Sequence, residues 1–142
     1  MDKRKQSMSI KEELNILREV FILFEDPKDK FIQLMDMAKE SGNLSDAEKI
    51  DINKINGCTS QAWVVGNINA DDTYSFKTDS DSLIVKGLLL ILEKIFTEKS
   101  AKDILATNSD GILRAVGLEK TITSQRINGF SSALAKIKSI VK

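Results

Sequence analysis

Tyr74-Ser75-Phe76-Lys77-Thr78-Asp79-Ser80-Asp81-Ser82-Leu83-Ile84-Val85-Lys86-Gly87-Leu88-Leu89-Leu90-Ile91-Leu92-Glu93-Lys94-Ile95 changes its hydrophobic period once, and that change decides the fold class. Tyr74, Phe76 and Thr78 alternate with Ser75, Lys77 and Asp79, the period of two that marks a strand with one buried face. Asp79-Ser80-Asp81 then offers side-chain acceptors and negative charge for a helix start. From residue 82 to about residue 96 the chain is apolar almost all round. A helix without a polar face belongs at the centre of a core. Gly87 inside it costs up to about 1 kcal/mol relative to alanine, and close packing on a sheet would explain that cost.

Upstream, residues 67–72 supply turn formers, and residues 61–68, rich in Val, Ile and Trp, read as a buried strand. Ile50, Ile52 and Ile55 suggest one more strand leading to Asn56-Gly57. Three consecutive strands with short connections predict an antiparallel meander. Residues 9–24 place Ile10, Leu14, Leu17, Phe21 and Phe24 on one helix face. Asp26-Pro27 breaks that helix, and Pro27 is suited to the first turn of the next, which carries Phe31, Leu34, Met35 and Ala38 and stops at Ser41-Gly42-Asn43. Downstream, short helices are expected at residues 101–106 and 111–116. Thr123 or Ser124 can cap a last helix bearing Ile127, Phe130, Leu134, Ile137 and Ile140. The order of helices, strands and helices predicts an α+β domain, with helices covering one face of a small antiparallel sheet.

Composition bounds the function. The 142 residues suit one domain over residues 1–142, with residues 1–8 as a flexible tail. The 21 basic and 21 acidic residues balance, so no net charge draws the chain to nucleic acid or to an anionic membrane. Residues 1–13 show no secretory signal, and the longest apolar run is far short of the ~20 residues of a membrane span. The single cysteine cannot form an internal disulfide, which fits a reducing, cytoplasmic setting, or an organelle if a targeting segment has been removed. With one cysteine and no histidine, a four-ligand zinc site, a four-thiolate cluster and Cys–His or Ser–His–Asp catalysis are all short of parts.

That cysteine, Cys58, lies in Asn56-Gly57-Cys58-Thr59-Ser60-Gln61-Ala62-Trp63, in the loop expected between the first two strands. It reads as a small buried hydrophobe or as a reactive centre, and composition leaves both open. One reaction suits a lone thiol without histidine: a thiolate attacks the outer sulfur of a partner's persulfide and the partner's inner thiolate leaves. A nearby cation would favour the thiolate. Arg126, near the start of the last helix, is a candidate, although the sequence alone favours an ordinary surface arginine there.

Three blocks in order resemble the SufE family of sulfur acceptors, which includes the CsdE branch. Residues 55–64, Ile-Asn-Gly-Cys-Thr-Ser-Gln-Ala-Trp-Val, are similar to its V-x-G-C-x-S-x-V-W-[LI] segment. Residues 76–88, Phe-Lys-Thr-Asp-Ser-Asp-Ser-Leu-Ile-Val-Lys-Gly-Leu, are similar to DSDAxIVKGL. Gly117-Leu118, followed by residues 123–130, is similar to LGL…LSPxRxNGL. The resemblance runs from about Leu17 to Ile140 and implies an IscU-like α+β fold with a three-stranded antiparallel sheet. It also implies an accessory protein, not a stand-alone enzyme. Such a protein takes sulfur from a SufS-type cysteine desulfurase, stimulates that enzyme, and relays sulfur to a scaffold such as a SufBCD-like complex.

On this resemblance Cys58 is the persulfide carrier and Arg126 a supporting residue. Gly57, Ser60, Gln61, Trp63, Asp79 and Asp81 support the loop, the two aspartates also as helix caps. No cofactor is bound directly, because pyridoxal phosphate belongs to the desulfurase, and no nucleic acid, membrane or metal is involved. The family's hydrophobic pocket implies a sheltered cysteine that turns outward to meet its donor. Alternatives are a CsdE-like partner of another desulfurase, a one-cysteine thiol enzyme, and a purely structural interaction module. Departures from the pattern are Asp26-Pro27 and Lys30-Phe31, where the family has Asp-Trp and Arg-Tyr, and Ser124-Gln125 in place of serine-proline.

Overall fold

The computed structural model describes residues 8–57 and 60–141. Most of the expected tail, and Cys58 with Thr59, lie outside the described residues. Helix α1 (Ile10–Phe21) opens on a capping box in which Ser9 and Glu12 satisfy each other's backbone N–H groups. Helix α2 (Pro27–Glu40) begins as expected, with Pro27 in its first turn and the Asp26 carboxylate accepting from the Lys28 N–H. Strands β1 (Ala62–Ile68) and β2 (Thr73–Ser80) pair antiparallel, with Ala62 opposite Ser80 and Ile68 opposite Tyr74. Helix α3 (Leu83–Phe96) follows, then the two-residue strand β3 (Lys99–Ser100), helix α4 (Ala101–Leu105), helix α5 (Ser109–Val116) and helix α6 (Ser124–Ile140), which Thr123 caps.

The protein is α+β, with helices packed on a three-stranded antiparallel sheet of order β1-β2-β3. The third strand is not the expected one. Asp51-Ile52-Asn53 winds into a single 3-10 turn, and Ile50 and Ile52 face solvent. Lys54, bridged to Trp63, and Ile55, whose N–H donates to the Ala62 carbonyl at 2.8 Å, join this segment to the edge of the sheet. The third place goes to β3, which pairs with Thr73 and Tyr74 after α3 has crossed the sheet, so the strands do not form a meander. The isoleucine spacing mimics a strand, but the Asn53 amide donates to the Glu48 carbonyl at 2.8 Å and holds the turn wound.

Helix α3 is the central element, resting on β2 and flanked by α2 and α1, and Leu88, Leu89, Ile91, Leu92, Ile95 and Phe96 are buried. Phe76 of β2 meets Phe96 edge to face at 6.4 Å. Each fully buried aliphatic or aromatic side chain contributes about 1.5–3 kcal/mol, so this layer carries much of the core. Gly87 marks a close approach to α2, not to the sheet. A Cβ there would lie 2.4 Å from the Leu34 carbonyl oxygen. The caps also differ from expectation. Ser82 caps α3 by accepting from the Val85 N–H, while Asp79 and Asp81 point elsewhere.

Candidate functional site

The chain enters the Cys58 segment from Ile55, which is buried, and from Gly57, whose φ of 92° lies in the left-handed region open to glycine. It leaves through Ser60 and Gln61, and this exit is fastened to the end of β2. The Asp81 carboxylate accepts from the Gln61 N–H at 3.1 Å. The Gln61 carbonyl accepts from the Ser80 hydroxyl at 2.7 Å and from the Asp81 N–H at 3.1 Å. Asp81 therefore braces the exit and caps nothing. Ser60 is half-buried, and the Gln61 side chain is exposed.

Asp79 departs from the expected alternation, being only 2% exposed although it lies on the face opposite Tyr74 and Phe76. The connector after α2 covers it there. Its carboxylate accepts from the Leu44 N–H at 3.0 Å and the Ser80 N–H at 2.8 Å, with Lys49 at 3.3 Å and Lys86 at 3.4 Å. Burial by itself would raise its pKa. The two N–H donors, Lys49 and Lys86 outweigh that and hold it below its ordinary value. Lys49 also stands 5.4 Å over the centre of the Trp63 ring, a cation–π contact that ties the connector to β1. Lys86 donates in addition to the Asn43 side chain. Sequence reasoning missed Lys49, Lys86 and Asn43. The available signal was Lys86 itself, a cation inside the apolar run of residues 83–92, which requires a buried counter-charge.

Arg126 stands in the first turn of α6 and borders a cleft lined by Val85, Leu88, Leu89, Gln125, Gly129 and Phe130. The interior volume is about 20 Å³, room for a water or one small group. A cation in a helix's first turn opposes the helix dipole. Among the described residues no carboxylate lies within ion-pair distance of the guanidinium. The apolar cleft therefore has an electropositive mouth, an environment that favours an anion such as a thiolate. Among the described residues, no cluster of three or more acidic or sulfur side chains is arranged to hold a metal, and no helix is long and apolar enough to cross a membrane.

The departures near the N-terminus have local uses. Pro27 starts α2, and the Lys30 ammonium donates to the Gly117 carbonyl at 3.0 Å, at the C-terminal end of α5. The structure thus groups Gln61, Asp81 and Gly57 around the two ends of the cysteine segment. Trp63 and Asp79 join through Lys49, and Arg126 lies at the cleft on α6.

Comparison with known proteins agrees with this fold. The family model "SufE: Fe-S metabolism associated domain" matches residues 15–141. An uncharacterized SufE-like protein of Rhizobium etli is 31% identical over 125 residues, covering 86% of this chain and 84% of that protein. SufE-like protein 1, chloroplastic/mitochondrial, of Arabidopsis thaliana is 32% identical over 83% of this chain and 32% of its own length. The solution structure of a hypothetical protein from Thermus thermophilus superimposes with a TM-score of 0.73 at 18% identity, covering 91% of this chain and 93% of that one, a likeness of fold. The chain belongs to the SufE family, with a role in sulfur transfer for iron–sulfur metabolism.

Proposed function

We propose that Cys58 receives sulfur from the persulfide of a SufS-type cysteine desulfurase and carries it toward iron–sulfur cluster assembly. The Cys58 thiolate attacks the donor's outer sulfur, the S–S bond of the donor breaks, and its inner sulfur leaves as a thiolate. The sulfane sulfur passes to Cys58 with no net oxidation, so no outside oxidant or reductant is needed. Pyridoxal phosphate stays with the desulfurase, and this chain acts as acceptor and stimulator. A SufBCD-like scaffold is the proposed receiver.

The observation that best supports this reading is Arg126, a half-buried arginine with no ion-pair partner among the described residues, at the mouth of an apolar cleft. Such a site accommodates a compact, polarizable anion better than a hydrated one. The test is intact-protein mass spectrometry after incubation with an active SufS-type desulfurase and cysteine. Wild type gains the mass of one sulfur atom, reversibly with reductant, and Cys58→Ser folds, binds the desulfurase and gains nothing. Sulfur uptake by Cys58→Ser refutes the assignment. Reduction of peroxide by the protein alone, without sulfur uptake, would favour a one-cysteine thiol enzyme.

A further inference from the structure

Helix α6 presents Gln125, Gly129, Ser132, Lys136 and Ile140 at spacings of four, three, four and four, which is one narrow stripe along the helix. The N-terminal end of the stripe lines the cleft through Gln125 and Gly129. The C-terminal end packs on β1, where a Cβ at Gly66 would meet the Ile140 side chain at 2.8 Å. Between them, two residues grip the segment that leads into Cys58. The Lys136 ammonium donates to the Ile52 carbonyl at 2.6 Å. Ser132 lies so close to Gly57 that a Cβ there would come within 2.5 Å of its hydroxyl oxygen.

Neither contact is needed to form α6, whose cap and buried face of Phe130, Ala133, Leu134 and Ile137 are independent of them. The 3-10 turn is likewise held from within by Asn53. Lys54 and Ile55 are separately tied to β1, so what the two contacts add is a direct link from Ile52 and Gly57, on either side of that tie, to the helix that carries Arg126.

We propose that Ser132 and Lys136 form a fastening between α6 and the entry to the sulfur segment, and that Lys136 is a positioning residue for the sulfur-transfer reaction. The proposal rests on the carrier reading of Cys58. Released from α6, the entry segment samples outward positions more often, so Cys58 becomes reactive without a partner. Held, the entry segment keeps its place against α6 until the desulfurase displaces it.

The experiment compares wild type, Lys136→Met, Lys136→Arg and Ser132→Leu, with Lys120→Met as a control for lost surface charge. Met keeps the aliphatic stem and removes the donor, Arg restores a charged donor, and Leu wedges Gly57 away. Alkylation of Cys58 by a bulky maleimide is timed without desulfurase. Loss of one exposed charge-assisted hydrogen bond predicts a rate increase of about fivefold for Lys136→Met. Ser132→Leu should rise similarly, while Lys136→Arg and Lys120→Met stay at the wild-type rate with unchanged urea midpoints. With desulfurase added, Lys136→Met should lose most of the acceleration that the partner gives wild type. A wild-type alkylation rate in both Lys136→Met and Ser132→Leu, or failure of Lys136→Arg to restore it, overturns the proposal. Absence of sulfur uptake by wild type would instead remove the carrier reading, and the alkylation series would still decide whether the fastening exists.

Discussion

Replacing Asp79 by asparagine keeps the shape of the side chain and removes the charge at the most enclosed polar centre among the described residues. The wild-type carboxylate offers two oxygens, one facing the Ser80 N–H and Lys86, the other facing the Leu44 N–H and Lys49. Asparagine has one acceptor oxygen, so its NH2 group must face one of these pairs donor to donor. One buried N–H is then unpaired, at about 1–3 kcal/mol. Breaking a buried ion pair typically costs about 3–5 kcal/mol. Lys86, with a side chain 8% exposed, loses its counter-charge but keeps the Asn43 amide oxygen, and Lys49 is 32% exposed and regains water. These compensations put the expected loss at the lower end, about 3 kcal/mol at pH 7. Urea unfolding of both proteins, with equal m-values, measures it.

The pH dependence is a second constraint on the same substitution. The folded-state pKa of Asp79 is below its ordinary value of 3.8, so its stabilisation is complete above that value and is lost as pH falls through the lower folded value. The gap between wild type and Asp79→Asn should therefore be flat from pH 7 to pH 5 and narrow only below about pH 3.8. A gap under about 1 kcal/mol at pH 7 would refute the reasoning, because it would mean that the four donors do not depend on the charge.

Gly87→Ala should destabilise by about 1–2 kcal/mol in urea unfolding, since the added methyl must push the Leu34 backbone carbonyl away from 2.4 Å. Helix propensity alone predicts a gain of about 1 kcal/mol, so a stabilised variant would show that α2 shifts freely. Arg126→Gln should leave the unfolding midpoint unchanged, because no ion pair is lost among the described residues. Its rate of sulfur uptake from the desulfurase should fall about tenfold as thiolate stabilisation is lost, and an unaltered rate would return Arg126 to the status of an ordinary surface residue.

The sequence was most legible where one physical signal acted alone. The change of period at Asp79-Ser80-Asp81 located β2 and α3, because alternation and all-round hydrophobicity admit few other readings. It misled where two signals shared the same residues. Ile50 and Ile52 have strand spacing, yet a side-chain hydrogen bond from Asn53 decides for a 3-10 turn, and such a contact has no periodicity to detect. Asp79 read as outward and cap-forming because the connector that covers it arrives from some 30 residues earlier in the chain. β3 was not foreseen at all: two residues are too short to show a period, and their pairing is set by the return of the chain after α3.

The two ends of the cysteine segment are held by different physical means, and this bears on how a carrier would move. The exit at Gln61 is bound to β2 by three hydrogen bonds involving Ser80 and Asp81, and β2 is anchored under the central helix. The entry is tied to β1 only as far as Ile55, whose N–H donates to the Ala62 carbonyl; beyond it Gly57 is held by its packing on Ser132, and Lys136 reaches back to the Ile52 carbonyl. Exposed single contacts open far more readily than sheet-anchored ones. A displacement of the segment is therefore expected to pivot at Gln61 and to release first at Gly57, whose left-handed backbone gives it turning freedom that other residues lack. The anchoring on either side of residues 58–59 is therefore asymmetric, firmer at Gln61 than at Gly57.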